Sequence, residues 1–160
     1  MNQHPPADHP ASRAAPAGDT PRHVTPHGLE LLQARLDAAS QALDAQRRLG
    51  AAADAARLAE LEHQLLHWRQ RLREACVVPL PLSRDEVQFG SRVAFADAGG
   101  HEYEVQLVGC DEADPARGLL DWQSPAGQAL LGAAPGESVR WPGPQGERLV
   151  EILEIIPPRP

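Results

Sequence analysis

The chain has 160 residues, 42% of them hydrophobic, with 16 prolines, two cysteines and a formal net charge of −7. That length holds one ordinary domain or two small ones, and a proline share about twice the usual leaves part of it outside any packed core. Residues 1–24 carry two acids and two arginines, 25–78 seven of each, and 79–160 thirteen acids against six arginines; an acidic C-terminal part is by itself a poor binder of phosphate backbones, so direct nucleic-acid binding is not expected there and a basic protein surface is the more natural partner.

All 15 basic residues are arginine, which reads as compositional bias. Cys76 and Cys110 are too few and too isolated for a disulfide framework or a metal cluster, so reduced thiols in a cytoplasmic protein are expected. No apolar run approaches the ~18–20 residues needed to cross a bilayer, and no membrane association is expected.

In chain order, residues 1–24 lack the apolar stretch of an export signal. Pro5, Pro6, Pro10, Pro16 and Pro21 oppose regular structure, so the segment is expected to be a disordered tail with solvated His4, His9 and His23. Thr25-Pro26 is a helix start, a capping hydroxyl followed by a residue suited to the first turn. Leu29, Leu32, Leu36, Ala39 and Leu43 then follow with the 3, 4, 3, 4 spacing of a coiled-coil seam. A second run, Leu58, Leu61, Leu65, Trp68, Leu72 and Ala75, has the same rhythm.

Antiparallel partners share a constant index sum. Leu29 with Leu72, Leu36 with Leu65 and Leu43 with Leu58 all give 101, which predicts a helical hairpin over 25–78 turning near Gly50 and Ala51. One continuous helix that dimerises through both runs is the alternative, since a single glycine costs only ~1 kcal/mol in a helix. His63 and His67 have the four-residue spacing of metal ligands, but the heptad puts them on the outer face with Glu60 and Glu62, and no metal or cofactor is expected.

Pro79 and Pro81 open a linker over 79–87, and a domain over 88–157 follows. Val93 and Phe95, then Tyr103, Val105 and Leu107, alternate with polar or small residues on either side of the turn Asp97-Ala98-Gly99-Gly100, which predicts a β-hairpin. Gly118–Trp122 reads as a strand, Ser124-Pro125 as the start of a helix through Leu131, and Glu137–Trp141 with Leu149–Ile156 as a closing pair around 143–146. The expected class is α+β: an N-terminal antiparallel helical hairpin and a small antiparallel sheet carrying one short helix. Trp68, Trp122 and Trp141 are expected in packing.

The order of motifs resembles the bacterial Gre (GreA/GreB) family of transcription factors over Thr25 to Ile156. Thr25, Gly28 and Leu32 look like its T-x-x-G-x-x-x-L opening, and Val87-Gln88-Phe89-Gly90-Ser91 its domain entry. Val108-Gly109 before Asp111-Glu112-Ala113-Asp114, Ser124-Pro125-Ala126, Ala129-Leu130-Leu131-Gly132, Pro135-Gly136-Glu137 and Gly146-Glu147 stand at its spacing. The resemblance implies an FKBP-like C-terminal domain docked on the rim of the RNA polymerase secondary channel, with a coiled-coil hairpin inserted down that channel. It implies contact with DNA only through the polymerase, and a monomer. Asp111, Glu112, Asp114, Gln123, Ser124 and Pro125 would form the partner-binding surface, with Gln123 standing where some members have Asp or Asn.

Members that rescue arrested complexes carry an acidic GDxxEN-type pair at the hairpin tip, which helps hold a second Mg²⁺ for transcript cleavage by the polymerase. Here the tip offers Arg47, Arg48, Gly50, Asp54 and Arg57, with one carboxylate among arginines. Each arm is also about two helical turns shorter by alignment of the flanking motifs. The chain therefore resembles the shortened, Rnk-type or non-cleaving members, and it is expected to be a non-enzymatic regulator. A Gre-type module bound to another protein, residual cleavage through Asp54, and a peptidyl-prolyl isomerase inferred from the fold alone are the alternatives.

Overall fold

A computed structural model describes residues 21–143 and 145–156; residues 1–20 of the expected tail, Pro144 of the last turn and residues 157–160 lie outside them. Strand β1 is Arg22–Val24, and helix α1 is Pro26–Arg48. The Thr25 hydroxyl accepts the Gly28 N–H at 3.0 Å to cap α1, and Pro26 occupies its first turn. Arg47 and Arg48 close the helix where cations suit its negative end. Gly50–Ala52 make a tight 3-10 turn, entered with Gly50 at a left-handed φ of 56°. Helix α2, Ala55–Glu74, returns from there.

The arms close on each other as the index sum requires. Ala39, Leu43, Leu61 and Leu65 are buried together with Leu36, Ala42, Leu58 and Trp68 against them, and Arg35 lies over the Trp68 ring at 5.1 Å. The 23 and 20 residues of the arms correspond to about 35 and 30 Å. This is a thin core, so the hairpin depends on what holds its base.

The base holds the first departure from expectation. Ala75–Val77 is not a last turn of helix but strand β2, and it pairs in parallel with β1: Arg22 with Ala75, His23 with Cys76, Val24 with Val77. Residues 22–24, expected in the tail, therefore belong to the fold: Val24 is fully buried and its carbonyl accepts the Val78 N–H at 2.9 Å. Two β-branched residues ahead of Pro79 favour extended backbone at the end of α2.

The linker boundary shifts too. Val87, expected in the linker, is buried in the second core, its amide donating to Ala133 and its carbonyl accepting from Gly132. The sheet comprises β3 (Arg92–Asp97), β4 (Glu102–Val108), β5 (Leu119–Asp121), β6 (Ser138–Gly143) and β7 (Gly146–Ile156), in the order β5-β4-β3-β7-β6. It is mixed rather than antiparallel throughout, since β5 lies parallel to β4. Between them the chain reverses through residues 109–118, which include a 3-10 turn at Pro115–Arg117.

Period-two alternation puts Val93, Phe95, Leu107, Val150 and Ile152 on one face, where Leu130 of the short helix α3 (Pro125–Leu130) packs on them. Trp141 and Tyr103 stand beside Phe95, with ring centroids 4.8 and 5.5 Å away. The domain is α+β as expected, and its aromatic side chains are occupied in packing.

Candidate functional site

The residues singled out by motif fall into three places. The first is the joint between hairpin and sheet, where the segment 109–112 meets β1, α1 and α2. The Glu112 side chain turns inward, and the residue is only 6% exposed. Its carboxylate accepts the Thr25 hydroxyl, the Thr25 N–H at 3.1 Å and the Gly109 N–H at 3.4 Å. Thr25 is itself 2% exposed, so one hydroxyl both caps α1 and bonds a carboxylate of the other domain.

Two glycines allow this approach. A Cβ on Gly28 would overlap the Glu112 carboxylate, and one on Gly109 would overlap the His23 carbonyl. Asp111 is gripped from three elements: Arg22 of β1 at 3.7 Å, Arg71 of α2 at 3.6 Å, and Arg35 of α1, which donates to the Asp111 carbonyl at 3.0 Å. The Asp111 side chain is 8% exposed. The expectation that Asp111 and Glu112 face a partner is thus corrected: both point into the protein, because two donors of Thr25 and the Gly109 amide converge on Glu112 and three arginines on Asp111.

Around this joint, burial works against the Arg22 charge, but Cys110, Asp111 and Glu74 hold its guanidinium more firmly protonated than a free arginine. The Cys110 thiol lies 3.4 Å from that guanidinium. Cys76 and Cys110 are free and exposed. His23 stacks on Trp122 at 5.0 Å and meets Phe89 edge-on at 5.5 Å. An open cleft of about 370 Å³ lies alongside, between Pro26, His27 and Glu30 on one side and Gln106 and Leu119 on the other.

The second place is the turn from β5 into α3. Ser124 accepts the Gly127 N–H at 3.0 Å and donates to the Asp121 carbonyl at 2.6 Å. The Asp121 carboxylate takes the Gln123 N–H at 3.0 Å. Gln123 and Pro125 project into solvent from this rigid turn. Asp114 has a local task, capping the 3-10 turn through the Ala116 N–H at 3.1 Å and bridging to Leu119.

The third place is the hairpin tip. Asp54 accepts the Ala56 and Arg57 amides at 2.8 and 3.2 Å as the cap of α2. Glu62 pairs with Arg47 at 2.9 Å and Glu60 with Arg57 at 2.8 Å, while Arg48 donates to the Asp44 carbonyl. His63 and His67 lie exposed on the outer side of α2. Among the described residues no three of His, Cys, Asp and Glu gather where they could share a metal ion, and no helix is long and apolar enough to cross a membrane.

The joint brings together the very motifs, T-x-x-G and VG-x-DE, on which the resemblance rests. A family model described as "Transcription elongation factor, GreA/GreB, C-term" matches residues 82–157. Transcription elongation factor GreA of Roseiflexus castenholzii is 30% identical over 154 residues, covering 86% of this chain and 98% of that protein. The chain belongs to the GreA/GreB family. GreA of Macrococcus caseolyticus is 38% identical over 97 residues, 59% of this chain and 61% of that protein. GreB of Neisseria meningitidis serogroup A is 34% identical over 101 residues, 62% of each. The matched region thus spans about three-fifths of these two relatives. Among solved structures, GreA factor homolog 1 (Gfh1) of Thermus thermophilus has a TM-score of 0.43 at 22% identity, covering 84% of this chain and 97% of that one.

Sequence reasoning missed Arg22, Arg35 and Arg71 as partners of the acidic loop, and read Thr25 only as a cap. The available signal was positional: a short alternating Arg-His-Val segment stands directly before the helix.

Proposed function

We propose that this protein is a non-enzymatic, cytoplasmic regulator of transcription elongation. It binds RNA polymerase as a monomer through its C-terminal domain at the rim of the secondary channel, touches DNA only through the polymerase, and does not stimulate transcript cleavage. The relatives it is similar to are named transcription elongation factors, and the acidic excess of the C-terminal part suits a basic protein surface. In this reading the C-terminal domain is FKBP-like, the hairpin is a coiled coil directed into the channel, and the docking edge is the rigid turn presenting Gln123, Ser124 and Pro125.

One observation carries the lack of cleavage stimulation. Asp54, the sole acid of the tip turn, is engaged by two helix amides, and the nearest glutamates, Glu60 and Glu62, are each paired with an arginine. A hard divalent cation needs several oxygen ligands that are free to converge on it. Arginine-paired carboxylates set on a helix surface do not supply them.

The test is binding of the purified protein to bacterial RNA polymerase core at two salt concentrations, followed by cleavage in stalled elongation complexes. Saturable, salt-weakened binding is expected, with cleavage at the intrinsic rate and slowed when a cleavage-competent Gre factor must compete. Absence of binding at micromolar protein would overturn the polymerase assignment; transcript shortening above the intrinsic rate would overturn the non-cleaving one.

A further inference from the structure

The acidic segment 111–112 is the most conspicuous charged feature of the C-terminal domain, yet both of its leading carboxylates are turned away from solvent. We infer that Asp111 and Glu112 are positioning residues: they fix the direction of the helical hairpin relative to the C-terminal sheet. Only the consequence for polymerase rests on the function proposed above; the fixed direction is a property of the free protein.

The argument starts from what each contact constrains. Glu112 receives Thr25 through both its hydroxyl and its amide, and Thr25 is the residue at which α1 begins. A single bond would leave α1 free to pivot. Two donors on one residue, with the Gly109 amide as a third on the same carboxylate, define an orientation as well as a distance. Asp111 then engages β1, α1 and α2 through Arg22, Arg35 and Arg71, so the two arms are held at once and cannot roll about the Thr25 contact. Gly28 and Gly109 provide the clearance.

This also accounts for why the two motifs stand where they do. Thr25 and Gly28 open the hairpin, Gly109 and Glu112 follow β4, and they are more than eighty residues apart in sequence. Each pair is bonded locally, Gly28 to Thr25 and Gly109 to Glu112, but what crowds each glycine comes from the other domain. Together they make one joint, at the opposite end of the hairpin from the tip. A tip about 30 Å from its base magnifies any angular freedom at the joint, so a factor whose tip must meet a definite target needs the base held rigidly.

The experiment is measurement of residual dipolar couplings of backbone amides in the full-length free protein. In the wild type, amides of α1 and α2 and those of β3–β7 should fit a single alignment tensor. In Asp111→Asn/Glu112→Gln, which removes charge with little change of bulk, the two groups should require separate tensors while chemical shifts away from the joint stay unchanged. The glutamine keeps one accepting oxygen, and its NH2 group would face a donor where the second carboxylate oxygen accepted. Thr25→Ser, which keeps the hydroxyl, should retain the single tensor. If the double variant loses tertiary structure, Arg35→Gln/Arg71→Gln tests the same hold from the hairpin side and should also separate the tensors.

A single tensor shared by both halves in a folded double variant would overturn the inference, as would two tensors in the wild type. A second arm addresses polymerase. A photo-crosslinker at Leu49 should reach the enzyme in the wild type and lose its defined target in the double variant, with affinity little changed. Loss of affinity with the single tensor intact would make Asp111 and Glu112 docking residues instead. If the wild type fails to bind polymerase at all, the proposed function falls and the tensor result still decides the joint.

Discussion

The two ends of the hairpin use the same chemistry, arginine against carboxylate, to opposite effect. At the tip, Arg47 and Glu62 meet at 2.9 Å with more than half of each side chain in water. At the base, Arg71 and Asp111 are farther apart, 3.6 Å, but the Asp111 side chain is 8% exposed and that of Arg71 27%. Distance alone would rank the tip pair higher. Solvent reverses that order, because an exposed pair is screened and must immobilise two long side chains for a gain of about 0–1 kcal/mol. Removing one partner of a buried pair strands a charge away from water, at several times that cost. The tip is thus chemically quiet and tolerant, and the base is where the two domains depend on particular residues.

Breaking the base should give the largest effect. Glu112→Ala leaves the Thr25 hydroxyl and amide and the Gly109 amide without their acceptor, and about 2–4 kcal/mol of stability should be lost in urea unfolding. A loss below about 0.5 kcal/mol would mean that water replaces the carboxylate and that the joint is not tight. Gly28→Ala sharpens the comparison, because two terms of opposite sign compete. Alanine gains about 1 kcal/mol of helix propensity over glycine, but its methyl would overlap a carboxylate fixed by three donors, an overpacking cost of about 1–3 kcal/mol. A net loss of about 1 kcal/mol is expected, and a stabilised protein would show that Glu112 swings aside freely.

The tip should respond far less. Asp54→Ala removes the side-chain cap of α2 and should cost about 1 kcal/mol, read in the same unfolding experiment. Arg47→Ala, which opens an exposed ion pair beside the turn, should cost under about 0.5 kcal/mol. A larger loss at Arg47 than at Glu112 would invert the contrast between the two ends.

Much of this was legible in sequence, and what was not has a common cause. The seam of Leu36, Leu43, Leu58 and Leu65 fixed the pairing of the helices, since a constant index sum leaves one register for a short turn. Alternation at Val93, Phe95, Tyr103 and Leu107, with turn residues between, located β3 and β4. Asp54 was readable as a helix cap because capping is a local interaction. The strand Arg22–Val24 was hidden because three residues show no period, and its partner β2 lies more than fifty positions away. The parallel pairing of β5 with β4 was hidden likewise, since alternation reveals a strand but not the direction of its neighbour. The inward turn of Asp111 and Glu112 was the costliest miss. Acidic residues are usually solvated, and only the arrival of Thr25 and three arginines from the other domain reverses that default.

The smallest effect separates the contributions at the edge of the base. Glu74, the last residue of α2, is held below its ordinary value of 4.5 first by the hydrogen bond from Gln70, with slight burial opposing, and then by Arg22. A carboxyl depressed in the folded state adds stability that is fully present above its unfolded value and is lost as pH falls through the folded one. The Glu74 contribution should therefore be complete at neutral pH and fade below about pH 4.5. Carbon-detected titration of the Glu74 carboxyl should place its midpoint under the ordinary glutamate range. Gln70→Ala and Arg22→Ala should each raise that midpoint, since the hydrogen bond from one helical turn away and the cation from β1 both favour the charged form. A midpoint unmoved by Arg22→Ala would mean that the 3.3 Å contact between Arg22 and Glu74 is not held in solution, leaving Arg22 to Asp111, 3.7 Å away in the structure.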